Sequence, residues 1–175
     1  MPIMNNQTTG LILAAGYGSR LAGGSPVTSF KPLTPVNGKA LIFRTIESLE
    51  FAGCKEIVIV LGHGYEEIKK TIQDNYKGQT PLIFVFNKKY ELSNGVSILS
   101  AQDYLSNRFI MTMSDHILGN SLMTLAKEVE IKQGEAALLV DYKVDSIFDL
   151  DDATKVFAKR EKIQSIGKQI HEFNC

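Results

Sequence analysis

Residues 9–21 read TGLILAAGYGSRL, so that an apolar run passes directly into a loop containing two glycines. The run Thr9–Ala14 lacks polar and apolar alternation, which is typical of a strand buried on both faces. The loop that follows extends from Ala15 to Pro35 and is rich in glycine, serine and proline. A loop of that length inside a compact domain is usually functional or disordered. The stretch therefore predicts a buried strand with a functional segment at its carboxyl end.

Outward from this stretch, apolar strands alternate with amphipathic helices. This alternation predicts an α/β fold: a three-layer α/β/α arrangement with a mainly parallel sheet and right-handed crossovers. An Asn-Gly turn signal occurs at Asn37-Gly38, and Cys54 is expected in the core. Further strands are predicted at Glu56–Leu61, Pro81–Phe86, Arg108–Met113, Glu135–Tyr142, Thr154–Ala158 and Lys162–Ile166, and helices at Ala40–Ala52, Tyr65–Asn75, Val96–Leu105 and Ser121–Lys132.

Composition narrows the functional classes. The chain has 175 residues, 44% of them apolar, and 19 basic residues balance 19 acidic ones. A single domain over residues 1–175 is expected, and the zero net charge argues against a nucleic-acid partner. No apolar stretch is long enough to span a membrane, and the N-terminus does not resemble a signal peptide. Because Cys54 and Cys175 are far apart, neither a disulfide framework nor a cysteine metal site is expected, and the predicted location is cytoplasmic.

Three polar segments follow predicted strands. They are Ala15–Lys31, Gly62–Tyr65 and Ser114–His116. In a parallel sheet, ligands bind beyond the carboxyl ends of the strands, where the strand order reverses. We therefore expect these segments to form one crevice, bordered by Asn87–Ser97.

The loop after the first strand has the composition of an anion site. Gly16 and Gly18 allow a close backbone approach, Arg20 offers a planar fork to phosphate oxygens, and Lys31 is a mobile point charge. Two glycines alone fit a flexible turn with a solvated arginine equally well. The added Arg20 and Lys31 favour a phosphate site, although the Walker A pattern is absent.

The pattern LAAGYGSRL…KPL resembles the signature of the nucleotidyltransferases that join an NTP to a sugar phosphate or alcohol phosphate. The resemblance implies that this loop holds the triphosphate, and that Arg20 and Lys31 stabilise the reacting phosphates as catalytic residues. It also implies base contacts through backbone groups near the start of the loop. The implied nucleotide-binding residues are Leu13, Ala14, Ala15, Gly16, Gly18, Ser19, Gly62, Asn94 and Gly95.

Asp115 lies between Ser114 and His116 at the end of an apolar strand. A carboxylate in this place suits Mg²⁺, which prefers oxygen ligands and takes few of them from protein. A helix or turn cap is the alternative role. The resemblance favours Asp115 as the magnesium ligand, whereas His116 is expected to lie beside the site or to contact the acceptor.

The acceptor side is predicted from Asn87-x-x-Tyr90-x-x-x-Asn94-Gly95-x-Ser97. Asn94 or Ser97 could simply cap the next helix. The spacing resembles cytidylyltransferases of alcohol phosphates, phosphocholine included, and the longer pattern from NGVSILSA to IGKQIHEFNC resembles inositol-1-phosphate cytidylyltransferases most closely. Those domains are often fused to a membrane-bound phosphotransferase. The implied substrate-binding residues are Tyr90, Ser97, His116 and Lys155, of which Lys155 could equally be a solvated strand lysine.

These observations predict a magnesium-dependent transfer of a nucleotidyl group, CTP favoured, to an alcohol or sugar phosphate such as inositol 1-phosphate, with release of pyrophosphate. A non-catalytic nucleotide-binding regulatory domain on the same fold is the alternative, and a purely structural α/β protein is the third. The resemblance also implies a Rossmann-like sheet, and a continuation beyond the position of Cys175 that carries a second metal-binding aspartate. We therefore also expect the chain to be truncated at its C-terminus.

Overall fold

The computed structural model describes residues 7–16 and 30–175. The described chain divides into two compact units: the first ends at Val129, and the second is Glu130–Cys175. This division does not test the predicted single domain over residues 1–175, which stays a prediction.

A four-stranded parallel sheet forms the centre of the first unit, in the order β5-β4-β1-β6. The chain first builds one side of β1 and then crosses to the other side with β6, which places the reversal of strand order between β1 and β6. The predicted α/β fold with a mainly parallel sheet is confirmed. The strands are β1 (Thr8–Ala14), β4 (Glu56–Leu61), β5 (Leu82–Phe86) and β6 (Arg108–Met113), and the small hairpin β2 (Pro35–Val36) and β3 (Lys39–Ala40) precedes the first helix.

Helices cover both faces of the sheet. Along β1, Ile12 and Ala14 face one apolar cluster, and Leu11 and Leu13 face the other, because successive side chains of a strand point to opposite faces. The first cluster includes buried residues of α1, α2 and α4, and the second is covered by α3. The helices are α1 (Leu41–Phe51), α2 (Tyr65–Asn75), α3 (Asn94–Ser100) and α4 (Asn120–Glu128), with 3-10 turns at Lys31–Leu33 and Gln102–Tyr104.

The Asn37-Gly38 turn signal is confirmed. Asn37 has φ 47° and Gly38 has φ 76°, and the two residues connect β2 to β3. Positive φ at both central residues is what a two-residue hairpin turn requires, and asparagine and glycine adopt it most easily. The tight turn returns the chain to the start of α1, next to the crevice loop that contains Lys31.

The second unit contains an antiparallel hairpin of β7 (Lys155–Lys159) and β8 (Lys162–Gly167), preceded by a 3-10 turn at Val144–Ser146. Both strands of the hairpin were predicted, and they turn through Arg160 and Glu161, which have φ 50° and 60°. The C-terminal residues run beside β7, where the amide of Val156 donates to the carbonyl of Cys175 (2.6 Å).

The predicted strand at Glu135–Tyr142 is wrong, because these residues pair with no strand in the described part of the chain. Leu138, Leu139 and Tyr142 are largely exposed. An apolar run becomes a strand only where a neighbouring edge accepts its backbone hydrogen bonds, and the run itself does not specify that edge. The predicted helices at Val96–Leu105 and Ser121–Lys132 begin and end earlier than expected, at Asn94–Ser100 and Asn120–Glu128.

Candidate nucleotide and phosphate site

The loops after β1, β4 and β6 lie side by side at the carboxyl edge of the sheet. The amide of His63 donates to the carbonyl of Ala15 (3.2 Å), and the amide of Ser114 donates to the carbonyl of Leu13 (3.1 Å). These hydrogen bonds extend the strand ladders by one step into the loops. The edge therefore brings the residues after β1 next to both of the other predicted segments.

Lys31 and Asp115 form a salt bridge at this edge, between the lysine Nζ and the carboxylate Oδ2. Their side chains are only 26% and 23% exposed, so the pair is partly withdrawn from water. Lys31 begins the 3-10 turn Lys31–Leu33, in which Pro32 is buried. Asp115 lies two residues after Met113, the last residue of β6. Two residues that were predicted separately, as a phosphate ligand and as a metal ligand, thus meet directly.

The pKa of Asp115 is lowered although the group is partly buried. Desolvation raises the pKa and is the largest single cause, but the hydrogen bond and the positive charge of Lys31, with help from His116 and the backbone, outweigh it. His116 is itself 57% exposed, and its Nε2 lies 3.9 Å from the Oδ1 of Asp115. Asp115 is therefore held as a carboxylate at the mouth of the crevice.

The Oδ1 of Asp115 is buried and has no hydrogen-bond partner in the described structure. Buried carboxylate oxygens are normally paired, so an orphaned one indicates a position where a ligand or ion can complete the shell. Mg²⁺ takes few ligands from protein and keeps waters or substrate phosphates, which one carboxylate oxygen can serve. The described residues hold no group of three or more metal-ligating side chains, so a site here depends on Asp115.

Helix α1 supports the loop that contains Asp115. The Thr45 hydroxyl is buried, donates to Leu41 O (3.1 Å) and lies 3.5 Å from the carbonyls of Ser114 and His116. Ser48, one turn later, donates to the carbonyl of Leu118 (3.3 Å). The α1 pattern in the sequence marks Thr45 only as part of the buried face, so its role beneath the site was not predicted.

Two glycines after β4 allow aromatic rings to close over the loop. A Cβ on Gly62 would lie 2.3 Å from the Cβ of Tyr90 and 2.6 Å from the carbonyl oxygen of Ala15. A Cβ on Gly64, whose φ is 71°, would lie 2.1 Å from the Phe30 ring. The Phe30 ring also meets the His63 ring edge-on, at a centroid distance of 5.4 Å. Phe30 and Gly64 were missed, although a Gly-His-Gly run after a strand and a phenylalanine before Lys31 were visible signals.

The segment after β5 forms the next wall. Asn87 is buried, and its side-chain amide donates to the Ser97 hydroxyl (3.0 Å), which ties this loop to α3. The cap of α3 is Ser93, without a side-chain hydrogen bond, so neither Asn94 nor Ser97 caps the helix. The side-chain amide of Asn94 faces the sulfur of Met113 (3.9 Å) at the end of β6. Asn94 therefore lies near the β6 side of the edge, whereas Ser97 holds the wall together from inside.

Comparison with known proteins identifies this arrangement. Residues 10–146 match the family described as MobA-like NTP transferase domain. The chain belongs to the MobA-like NTP transferase family. The predicted resemblance to nucleotidyltransferases is therefore confirmed.

Several individual proteins are similar to this chain. The bifunctional IPC transferase and DIPP synthase of Archaeoglobus fulgidus is 33% identical over 168 residues, which cover 94% of this chain and 30% of the relative. The choline-phosphate cytidylyltransferase of Streptococcus pneumoniae is 33% identical over 113 residues, which cover 63% of this chain and 46% of the relative. The solved inositol-1-phosphate CTP transferase of T. maritima aligns with a TM-score of 0.80 and 27% identity, over 96% of this chain and 66% of its own. The chain spans about a third of the length of the first of these relatives.

The roles of several predicted site residues remain predictions. Gly18, Ser19 and Arg20 lie outside the described residues. The side chains of Leu13, Ala14 and Ala15 are buried, so any contact with a nucleotide would use their backbone. A Cβ added at Gly16 would meet nothing within 4 Å, and one added at Gly95 would lie 3.8 Å from the Ser93 Oγ, an ordinary van der Waals contact. Lys155 belongs to the second unit, where its Nζ donates to the carbonyl of Lys168 (2.9 Å).

In the part of the chain that the structure describes, every helix is too short or too polar to cross a bilayer.

Proposed function

We propose that this NTP transferase domain joins a nucleoside triphosphate to a phosphorylated alcohol and releases pyrophosphate. CTP is the favoured nucleotide, and inositol 1-phosphate is the favoured acceptor. Support for this choice comes from relatives whose names include IPC transferase and choline-phosphate cytidylyltransferase, and from the fold neighbour titled inositol-1-phosphate CTP transferase. We place the reaction in the cytoplasm.

The observation that carries the proposal is the Lys31–Asp115 pair at the β1/β6 reversal point. An acceptor phosphate oxygen attacks the α-phosphorus of the NTP, and the bond to the pyrophosphate oxygen breaks. Such a transfer needs little from the protein beyond in-line positioning and neutralisation of charge. Lys31, together with Arg20, would hold the phosphates and stabilise the negative charge that develops on the leaving group.

Asp115 is the proposed protein ligand of Mg²⁺, and its orphaned Oδ1 is the atom that fits this role. When bound there, Mg²⁺ would neutralise phosphate charge. The glycines at positions 16, 18, 62 and 95 would bring backbone groups close to the nucleotide, together with Leu13, Ala14, Ala15, Ser19 and Asn94. Tyr90, Ser97, His116 and Lys155 are proposed for the acceptor side.

The test is release of pyrophosphate from each of the four NTPs, with inositol 1-phosphate or phosphocholine as acceptor, in the presence of Mg²⁺. Release that requires both CTP and inositol 1-phosphate would support the proposal. Asp115→Asn should remove the activity while leaving the circular dichroism spectrum unchanged. CTP binding without turnover on any acceptor would instead favour a regulatory nucleotide-binding domain.

A further inference from the structure

Lys31 occupies a special position among the lysines of the described chain. Its partner Asp115 has one oxygen bonded to the lysine, and the second, buried oxygen has no hydrogen-bond partner in the part of the chain that the structure describes. By contrast, Lys39 pairs with Glu47 on the surface, where the two side chains are 44% and 56% exposed. Water can replace either partner of that surface pair, whereas the partly buried Asp115 depends much more on the cation beside it.

A lysine in this position competes with a metal ion for the same carboxylate. Two cations beside one partly buried carboxylate repel each other, and the repulsion is stronger than in water because the effective dielectric constant there is lower. Lysine has a compact charge on a flexible four-carbon stem, so Nζ can move to another acceptor while its backbone stays in place. The backbone of this turn is fixed, since Pro32 is buried and the amide of Leu33 donates to the carbonyl of Phe30 (3.0 Å).

We propose that, without nucleotide, Lys31 occupies the cation position beside Asp115, and that it moves to the nucleotide phosphates when these bind. Nucleotide and divalent cation would then bind cooperatively, each raising the affinity for the other by the same factor. This inference rests on the proposed function, in which both ligands share the crevice. The lysine charge that stabilises Asp115 in the absence of nucleotide would move to the phosphates, and its repulsion of a metal ion at the Asp115 Oδ1 would be relieved.

The test measures binding of Mn²⁺ alone to the full chain, by electron paramagnetic resonance, and repeats the titration with saturating CTP. Lys31→Met keeps the length of the side chain and removes its charge. In the absence of nucleotide, this variant should bind Mn²⁺ about tenfold more tightly than the original protein, a factor within the usual range of coupling between sites. The gain in Mn²⁺ affinity on adding CTP should be smaller in the variant. Lys39→Met, which removes the surface partner of Glu47, should change neither titration.

Two further variants keep the outcomes distinct. Lys31→Gln should behave like Lys31→Met, and circular dichroism should show that both are folded. Asp115→Asn should lose Mn²⁺ binding in both titrations. Suppose that both Lys31 variants bind Mn²⁺ as well as or more weakly than the original protein, and that Asp115→Asn does not bind it. This result would overturn the proposed movement of Lys31 and leave the metal site of the proposed function intact. Unchanged Mn²⁺ binding by Asp115→Asn would overturn both.

Discussion

The interior of the sheet and the crevice at its carboxyl edge differ in how completely their groups are satisfied. In the interior, Ile12, Ile57 and Ile59 are fully buried on strands that have a neighbour on both sides. In the crevice, the buried Oδ1 of Asp115 has no hydrogen-bond partner among the described residues, and Gly62 lies so close to Tyr90 and to the carbonyl of Ala15 that no Cβ fits. We infer from this difference that the apolar layers provide most of the stability, whereas the carboxyl edge of the sheet has polar groups available to a ligand. Four experiments test this difference between the interior and the crevice.

The largest expected effect is on stability, from Ile59→Ala in the interior. Ile59 is 0% exposed, and its truncation leaves a cavity between the sheet and its helices. Removal of a buried isoleucine side chain typically costs about 2–5 kcal/mol of unfolding free energy. Urea unfolding followed by circular dichroism measures the loss. Leu125→Ala, at a leucine that is 58% exposed, should change stability by less than about 0.5 kcal/mol.

In the crevice the order of effects should be reversed. Lys31→Ala should reduce turnover by a factor equivalent to about 3–4 kcal/mol, because it removes a charge that acts on the transition state. Its unfolding free energy should change by a smaller amount, about 1–3 kcal/mol, because the partly buried Asp115 loses its cation but keeps some contact with water. Steady-state pyrophosphate release and urea unfolding measure the two effects. Lys39→Ala should leave both nearly unchanged, and near-normal turnover of Lys31→Ala would refute the phosphate role.

The buried thiol of Cys54 should make the stability of the interior depend on pH. Burial raises the pKa of this thiol from 9.0 to about 11, against a smaller lowering by a backbone hydrogen bond. Between these values the unfolded thiol loses its proton and the folded one keeps it, so stability falls as the pH rises from about 9 to 11. The loss attributable to Cys54 should reach about 2–3 kcal/mol. Urea unfolding across this range should show a weaker pH dependence in Cys54→Ala, and identical slopes would place the thiol in contact with water.

The smallest expected effect is that of Gly62→Ala. Its Cβ would collide with Tyr90 and with the carbonyl of Ala15, and overpacking of this kind costs about 1–3 kcal/mol. Because the displaced atoms border the crevice, affinity for CTP should fall as well, which calorimetry can measure. Gly119→Ala has open space at its Cα and serves as the control. A loss of stability with unchanged CTP affinity would separate Gly62 from the nucleotide site.

Local pattern was sufficient for most elements of the first unit. The bounds of α2 and β6 coincide with those predicted, and β1 begins only one residue early. The burial periodicity that defines these elements is written in adjacent residues, so no distant contact is needed to recognise it. Glu135–Tyr142 failed because its apolar run has no partner edge in the described chain.

The candidate site was predictable in its members but only partly in its contacts. The sequence placed Lys31 and Asp115 on segments expected to meet at one edge, each with a separate role. Their direct salt bridge depends on the 3-10 turn that begins at Lys31 and on the support of Asp115 by α1. The closure of Phe30 over Gly64 likewise requires two segments that are distant along the chain.

The buried strands, the amphipathic helices and the Asn37-Gly38 turn of the first unit could be predicted from the sequence alone. Each depends on the steric and hydrophobic properties of neighbouring residues. The strand order, in which β6 lies on one side of β1 and β4 on the other side of β1, is visible only in the tertiary structure. Strand pairing is a contact between distant segments, and many pairings satisfy the same local pattern. That order brings Asp115 to Lys31, and the incomplete solvation of the pair follows from the same packing.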